Sequence, residues 1–434
     1  MQGRKIPVFT ATLIVIASTI GIGVFTSLGF QLADVHSSFG IIMLWLVGGI
    51  IALCGALSYG ELASAMPLSG GEYIYLSKIF HPFVGFLSGW VSATVAFAVP
   101  TALAAMALGK YVAKVFPATN PVFLAASVII IITFIHSFNL RQSSRFQNIF
   151  TILEIALILF FIAAGFLIDL PQPVSLFPKS SVPGEGWDSI FSASFGHSLI
   201  YVSYAYSGWN TATYMASDIE NPQRNVPKSL FYGTLIVMVL YIFLNYIFLY
   251  SAPVNEMQNQ VEVGFISAIH IFGIKMGNFM GMMIALLLIA SISSFVLAGP
   301  RVAKVLGDNL PQLSFLSITN KHGVPYVAKI IQGAIALLLI FTASYEKVLS
   351  YIGLTLSLFT FLTVIGLFIF RYRNKGKAKG YKTFGYPITP LIFLALSGSM
   401  IYFTIKKSPQ ESLLGLATIL AGSIVYFIKK TTTP

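Results

Sequence analysis

Twelve runs of apolar residues, each about long enough to cross a lipid bilayer as a helix, follow one another along this chain. They lie at residues 8–30, 39–65, 82–115, 120–140, 147–168, 190–216, 229–252, 277–306, 326–344, 347–370, 388–405 and 412–428. The stretches between them are too short to hold a soluble domain. The expected fold class is therefore an all-α membrane protein with twelve transmembrane helices. The 82–115 run exceeds one crossing and is expected to tilt or to extend beyond the bilayer. Arg4 and Lys5 precede the first run as in a signal peptide. No small-residue cleavage site follows, so the run reads as a retained helix.

Charged residues make up only 9% of the chain, against about 25% for a soluble domain. The net charge of +12 raises the question of nucleic acid. The positions of the basic residues answer it. With the N-terminus inside, 19 of the 26 Lys and Arg fall on the cytoplasmic side, as the positive-inside rule requires. Arg4, Arg141, Arg145, Lys375, Lys377, Lys379, Lys429 and Lys430 are among them, and Lys179 is among the outer ones. Both termini are therefore expected in the cytoplasm of a plasma (inner) membrane protein, with lipid and not nucleic acid as the partner of the basic surface. The cluster RYRNKGKAKGYK at 371–382 reads as a cytoplasmic anchor. The single cysteine, Cys54, allows neither an internal disulfide nor a cysteine metal site. Of the outer loops, 169–189 reads as irregular, and 253–276 is long enough for short helices over a vestibule.

Two of the runs are interrupted. The first has Ser18-Thr19-Ile20-Gly21-Ile22-Gly23 at its centre, where each glycine costs a helix about 1 kcal/mol. The sixth has Tyr206-Ser207-Gly208, then resumes and ends in the polar stretch Glu220–Pro227. Small residues also serve close helix packing, which is the competing reading of Gly21 and Gly23. But backbone groups freed within a bilayer survive only where they line a protein cavity. Interruptions five spans apart are the signature of an inverted repeat with its site at the midplane. The expected layout is a first five-helix repeat over 1–170, a second over 171–375, and two further helices over 376–434. Freed N–H groups attract an anion and freed carbonyls a cation. Together they suit a zwitterion such as an α-amino acid.

The stretches TIGIGVF at 19–25, YGELASAMPLSGGEYIYLSKIFHPFVGFLSGW at 59–90, RFQNIFTILEIALILFFIAAG at 145–165 and YAYSGWNTATYMASDIENPQRNVPKS at 204–229 resemble the amino acid–polyamine–organocation transporter superfamily. The likeness is strongest to its L-type branch and bacterial relatives. It implies the leucine-transporter-type 5+5 inverted repeat, with discontinuous helices 1 and 6, and alternating access. It implies carboxylate binding by the backbone of Gly21, Ile22 and Gly23. It implies ammonium binding by carbonyls near Thr19 and Ile20 and near Tyr204, Ala205 and Ser207, within a site that also takes in Tyr206 and Gly208. Tyr204 matches an outer-gate aromatic, and Trp209 and Asn210 match the start of the second half of span 6. Ile22 stands where the family often has a hydroxyl residue. Glu154 stands where many bacterial members have a lysine. No cysteine lies between spans 3 and 4, so no disulfide-linked heavy subunit is expected.

A carboxylate at bilayer depth is costly unless protonated, paired or cation-bound. Ser291 and Ser294 of span 8 share a helix face at i,i+3. With Glu154 and the freed carbonyls they would form a hard-oxygen site for sodium or a proton. No other cofactor is expected. A core-buried or solvated Glu154 is the plainer alternative. Glu61 reads as structural, or as a gate partner for a loop arginine. The six histidines are scattered, and no nucleophile or phosphate-loop motif is present, which argues against an enzyme. Rings of charge or repeated filter loops, which a channel would need, are also missing. The sequence points to a secondary transporter of neutral amino acids, either coupled through Glu154 or an obligatory exchanger.

Overall fold

A computed structural model describes residues 5–138, 144–169, 171–178, 186–374 and 380–428. Arg4, Arg141, Lys179, Lys375, Lys377, Lys379, Lys429 and Lys430 of the topology count lie outside the described residues, as do the side chain of Arg145 and part of the 169–189 loop. Among the described residues the secondary structure is helical, apart from one isolated bridge between Ile6 and Ile219. Eight helical segments among the described residues are long and apolar enough to cross a membrane. Three shorter apolar helices accompany them, at Pro121–Ser137, Ile149–Gly165 and Tyr326–Thr342.

The first run divides into α1 (Val8–Thr19), α2 (Gly23–Thr26) and α3 (Leu28–Asp34). At Ile20 the backbone is extended, with φ −68° and ψ 119°. Next come α4 (Ser38–Ala65), whose N-cap Ser37 accepts from the Gly40 N–H, and the short α5 (Glu72–Ile79). The 82–115 run is not one straight helix. It bends between α6 (Pro82–Thr94) and α7 (Ala98–Val115). Pro100 has no N–H to give the carbonyl four residues back, which weakens the ladder at the bend. Then follow α8 (Pro121–Phe138), α9 (Ser144–Gly165) and α10 (Ala193–Ala205), the last capped by Ser192.

After α10 the chain resumes only as a 3-10 helix, Thr211–Asp218. The polar stretch that followed the sixth run is shorter than expected, because α11 (Pro222–Ser251) already begins at Pro222. Pro222 suits the first helical position. Pro227 cannot donate to the Gln223 carbonyl, but the Ser64 hydroxyl of α4 does so at 2.7 Å. The second outer loop holds the short α12 (Val254–Met257) and the first turns of α13 (Val263–Asn309), which kinks at Gly273 with φ +75°. The remaining helices are α14 (Tyr326–Thr342), α15 (Tyr345–Arg373), α16 (Ile388–Lys407) and α17 (Pro409–Phe427).

The core runs along α4, α10 and α11. A Cβ on Gly48 would lie 2.4 Å from Val202, and one on Gly49 2.5 Å from Met238, so these glycines set how closely α4 meets its neighbours. Against α4, Tyr206, Tyr241 and Trp45 form an aromatic group with centroids 5.1–6.0 Å apart. At one end of the bundle Ile6 and the 218–220 segment exchange backbone hydrogen bonds of 2.8 and 2.9 Å. At the other end Asp34 takes hydrogen bonds from His197, Ser198 and Lys407.

Candidate functional site

The two interruptions meet. Gly208 has φ +105°, and a Cβ there would fall 2.2 Å from the carbonyl oxygen of Ser18. A Cβ on Gly23 would fall 2.7 Å from the Cα of Ala205. Two glycines therefore permit backbone-to-backbone approach of the broken segments, one on each side of the junction. Gly21 is different: a Cβ there would meet nothing within 4 Å.

The open space beside Gly21 belongs to a small cavity of about 10 Å³. Ile20, Gly21, Ile22 and Phe25 form one wall. Glu154 of α9 and Ile284, Leu287, Leu288 and Ser291 of α13 form the rest. Its polar content is thus confined to the unwound backbone, one carboxyl and one hydroxyl. Glu154 is partly exposed where it lines the cavity, and Ser291 lies close to its carboxyl while donating its hydroxyl to the Leu287 carbonyl at 3.2 Å.

Tyr241 of α11 holds the first interruption in shape. Its hydroxyl donates to the Thr19 carbonyl at 2.8 Å, close to the Gly21 backbone. One ring thereby satisfies a carbonyl that the break had freed, as buried backbone requires. Tyr241 also packs against Tyr206, with centroids 5.1 Å apart. A lone tyrosine in an apolar run carries no signal of this role, and sequence reasoning missed it.

The other expected residues are distributed as follows. Thr19 turns its hydroxyl back to Val15. The Tyr204 carbonyl accepts from Ser207 N–H at 2.9 Å. With the Thr19 carbonyl also engaged, the carbonyls of Ile20, Ala205 and Ser207 are the ones of the expected ammonium set that accept no hydrogen bond among the described residues. Tyr204 is buried, with Tyr345 and Tyr241 near enough to act on its hydroxyl. Tyr206 points into the scaffold, donating to the Trp45 carbonyl at 3.1 Å, so only its backbone stays at the junction. The Gly208 carbonyl accepts from the Thr211 N–H and hydroxyl. Ser294 does not line the cavity; its hydroxyl donates to Ala290, one turn back. Of the pair at i,i+3, Ser291 is the one that lines the cavity beside Glu154.

Glu61 does have an arginine partner. Arg371, in the last turn of α15 and not in a loop, meets it through two hydrogen bonds of 2.7 and 2.6 Å. The Thr383 N–H adds a third, at 2.7 Å.

The model of one known family matches residues 6–428, nearly the full length; its description is "Amino acid permease". The chain belongs to the amino acid permease family. This permease is similar to b(0,+)-type amino acid transporter 1 of Mus musculus, with 28% identity over 98% of the permease and 88% of the relative. It is similar to large neutral amino acids transporter small subunit 2 of Homo sapiens, with 26% identity over 98% and 80% of the two chains. It is also similar to the serine/threonine exchanger SteT of Bacillus subtilis (strain 168), with 26% identity over 98% and 96%. These relatives are amino acid transporters of the L-type and bacterial groups that the motifs resembled, and none is an enzyme. The permease is accordingly a multi-pass membrane protein of amino acid transport.

Proposed function

We propose that this permease moves neutral L-amino acids across the plasma membrane by alternating access, with the zwitterion held at the junction of the two interruptions. The observation that carries this reading is the backbone-to-backbone approach of Ser18 to Gly208 beside an unwound, unfilled Gly21. The backbone from Gly21 to Gly23 would take the carboxylate, and the carbonyls of Ile20, Ala205 and Ser207 the ammonium. Taking the eight long segments, the three shorter apolar helices and the broken α10 as crossings gives twelve, arranged as 5+5 with two more, and both termini in the cytoplasm. The repeats would span 1–170 and 171–375. Tyr204 would lie over the bound substrate.

Glu154 would bind the coupling cation. Its cavity offers one carboxyl, one hydroxyl and the unwound backbone. Sodium or a proton fits that chemistry. Obligatory exchange is the second reading, favoured by the relative named an exchanger. A disulfide to a second subunit has no place here, since the lone Cys54 is buried in α4.

The test is uptake into proteoliposomes holding the purified chain, with labelled alanine, serine and leucine. Saturable uptake of one or more supports transport, and none defeats it. Accumulation driven by a sodium or pH gradient that Glu154→Gln abolishes supports coupling. Uptake that requires amino acid on the opposite side and ignores both gradients supports exchange.

A further inference from the structure

Glu72 opens α5 directly after Gly71, and it is only 7% exposed. Two side chains donate to the same carboxyl oxygen, Oε1. One is the Tyr59 hydroxyl of α4, at 2.8 Å. The other is the Asn210 amide, from the turn after the second interruption, at 3.0 Å. Tyr75 of α5 and Tyr214 of the 3-10 helix are the further titratable groups that face it. No cation pairs with it among the described residues. The Gly71 N–H closes the same seam by donating to the Thr213 carbonyl at 3.3 Å.

Three parts of the chain therefore converge on one uncompensated carboxyl: α4, α5 and the segment after the break. The last of these would have to swing away if the site opened toward this end. Burial in the seam pushes the Glu72 carboxyl up to about 7, and the hydrogen bonds from Tyr59 and Asn210 oppose it only in part. Opening would admit water and return the group toward its ordinary 4.5.

We propose that Glu72 is a proton-binding latch on the cytoplasmic seal, whose closed form holds the neutral acid and whose opening releases the proton to cytoplasmic water. This rests on the transporter reading above and on the orientation that puts this end in the cytoplasm. The sign follows from linkage. A group whose acidity is weakened in the closed form stabilises that form at low pH, and the stabilisation fades as pH rises through about 7. The carboxyl would meet the same compartment when it gains and when it loses its proton. Glu72 therefore sets the rate of inward opening and drives nothing uphill, unlike the role proposed for Glu154.

The test uses sealed membrane vesicles of defined orientation carrying the full chain. Labelled alanine, serine and leucine serve as probes. The cytoplasmic face is stepped from pH 6 to pH 8 while the other face stays fixed. Exchange is expected to rise about three- to tenfold in the wild type, within the limit of tenfold per pH unit for one proton. Glu72→Gln should be flat across the range, at the slow rate. A Glu72→Gln protein with the wild-type profile overturns the proposal. Tyr59→Phe removes a donor that favours the charged form, so its midpoint should move to higher pH; a midpoint unmoved or lowered also overturns it. Backbone hydrogen exchange over residues 211–218, corrected for intrinsic rate, needs no substrate and separates this failure from failure of the transporter reading. Those amides should be better protected at pH 6 than at pH 8 in the wild type and equally protected in Glu72→Gln. The same pH dependence in both proteins sinks the latch whether or not any probe is transported.

Discussion

Gly208 and Ser18 are separated so narrowly that no side chain fits between them: a Cβ on Gly208 would lie 2.2 Å from the Ser18 carbonyl oxygen. The φ of +105° adds strain for any L-residue at that position. Gly208→Ala is expected to push the two interruptions apart and to lower kcat/KM at least tenfold. Ser207→Ala, one residue earlier, should cost far less. Uptake kinetics in proteoliposomes compare the two.

Tyr241→Phe removes the hydroxyl that serves the Thr19 carbonyl. A buried backbone group then loses its partner, at about 1–3 kcal/mol if no water enters. The expected outcome is a KM raised several-fold with the protein still folded. Tyr241→Leu should be worse, because the ring contacts with Trp45 and Tyr206 go as well. Uptake kinetics with thermal melting in detergent separate lost binding from lost stability.

Arg371→Met would strand Glu61 as a buried charge with only the Thr383 N–H to satisfy it. Breaking one side of such a pair costs about 3–5 kcal/mol, with the lower figure apt because Arg371 is partly exposed. Removing both charges, as Glu61→Gln with Arg371→Met, should recover a good part of the loss. Melting temperatures of the two singles and the double decide it.

Asp34 links α3 to α10 and to the last residue of α16, Lys407. Burial alone would raise its pKa, but hydrogen bonds and charge from His197 and Lys407 outweigh that and hold it below the ordinary 3.8. Its stabilising effect is therefore complete above pH of about 4 and is lost as acid protonates the folded form. Asp34→Asn should melt several degrees below wild type at pH 7. The gap should narrow only when both are melted well below pH 4.

What the sequence disclosed and what it hid divide along one physical line. Apolar length and helix-breaking residues are local properties, and they located α4, α8, α9 and the interruptions at Ile20 and Ser207 to within a few residues. Partners are not local. That Tyr241 would reach Thr19, 222 positions away, has no counterpart in periodicity or composition. The same holds for Ser64, which supplies the hydrogen bond Pro227 cannot make, and without which the polar stretch after the 3-10 helix read as loop. Side-chain direction was also illegible: Tyr206 lies at the interruption by number and turns into the scaffold in space. Ser291 and Ser294 were indistinguishable as a helical pair; in space it is Ser291 that α13 brings to the cavity lining with Glu154.

The bridge between Ile6 and Ile219 joins the start of one interrupted helix to the end of the other. The two are tied by main-chain hydrogen bonds, which no side-chain substitution can simply remove. Neither half-helix can then retreat alone. They form a single door leaf hung on one hinge, and a proline at position 220, which cannot donate to the Ile6 carbonyl, would be the wedge that lets the halves come away separately.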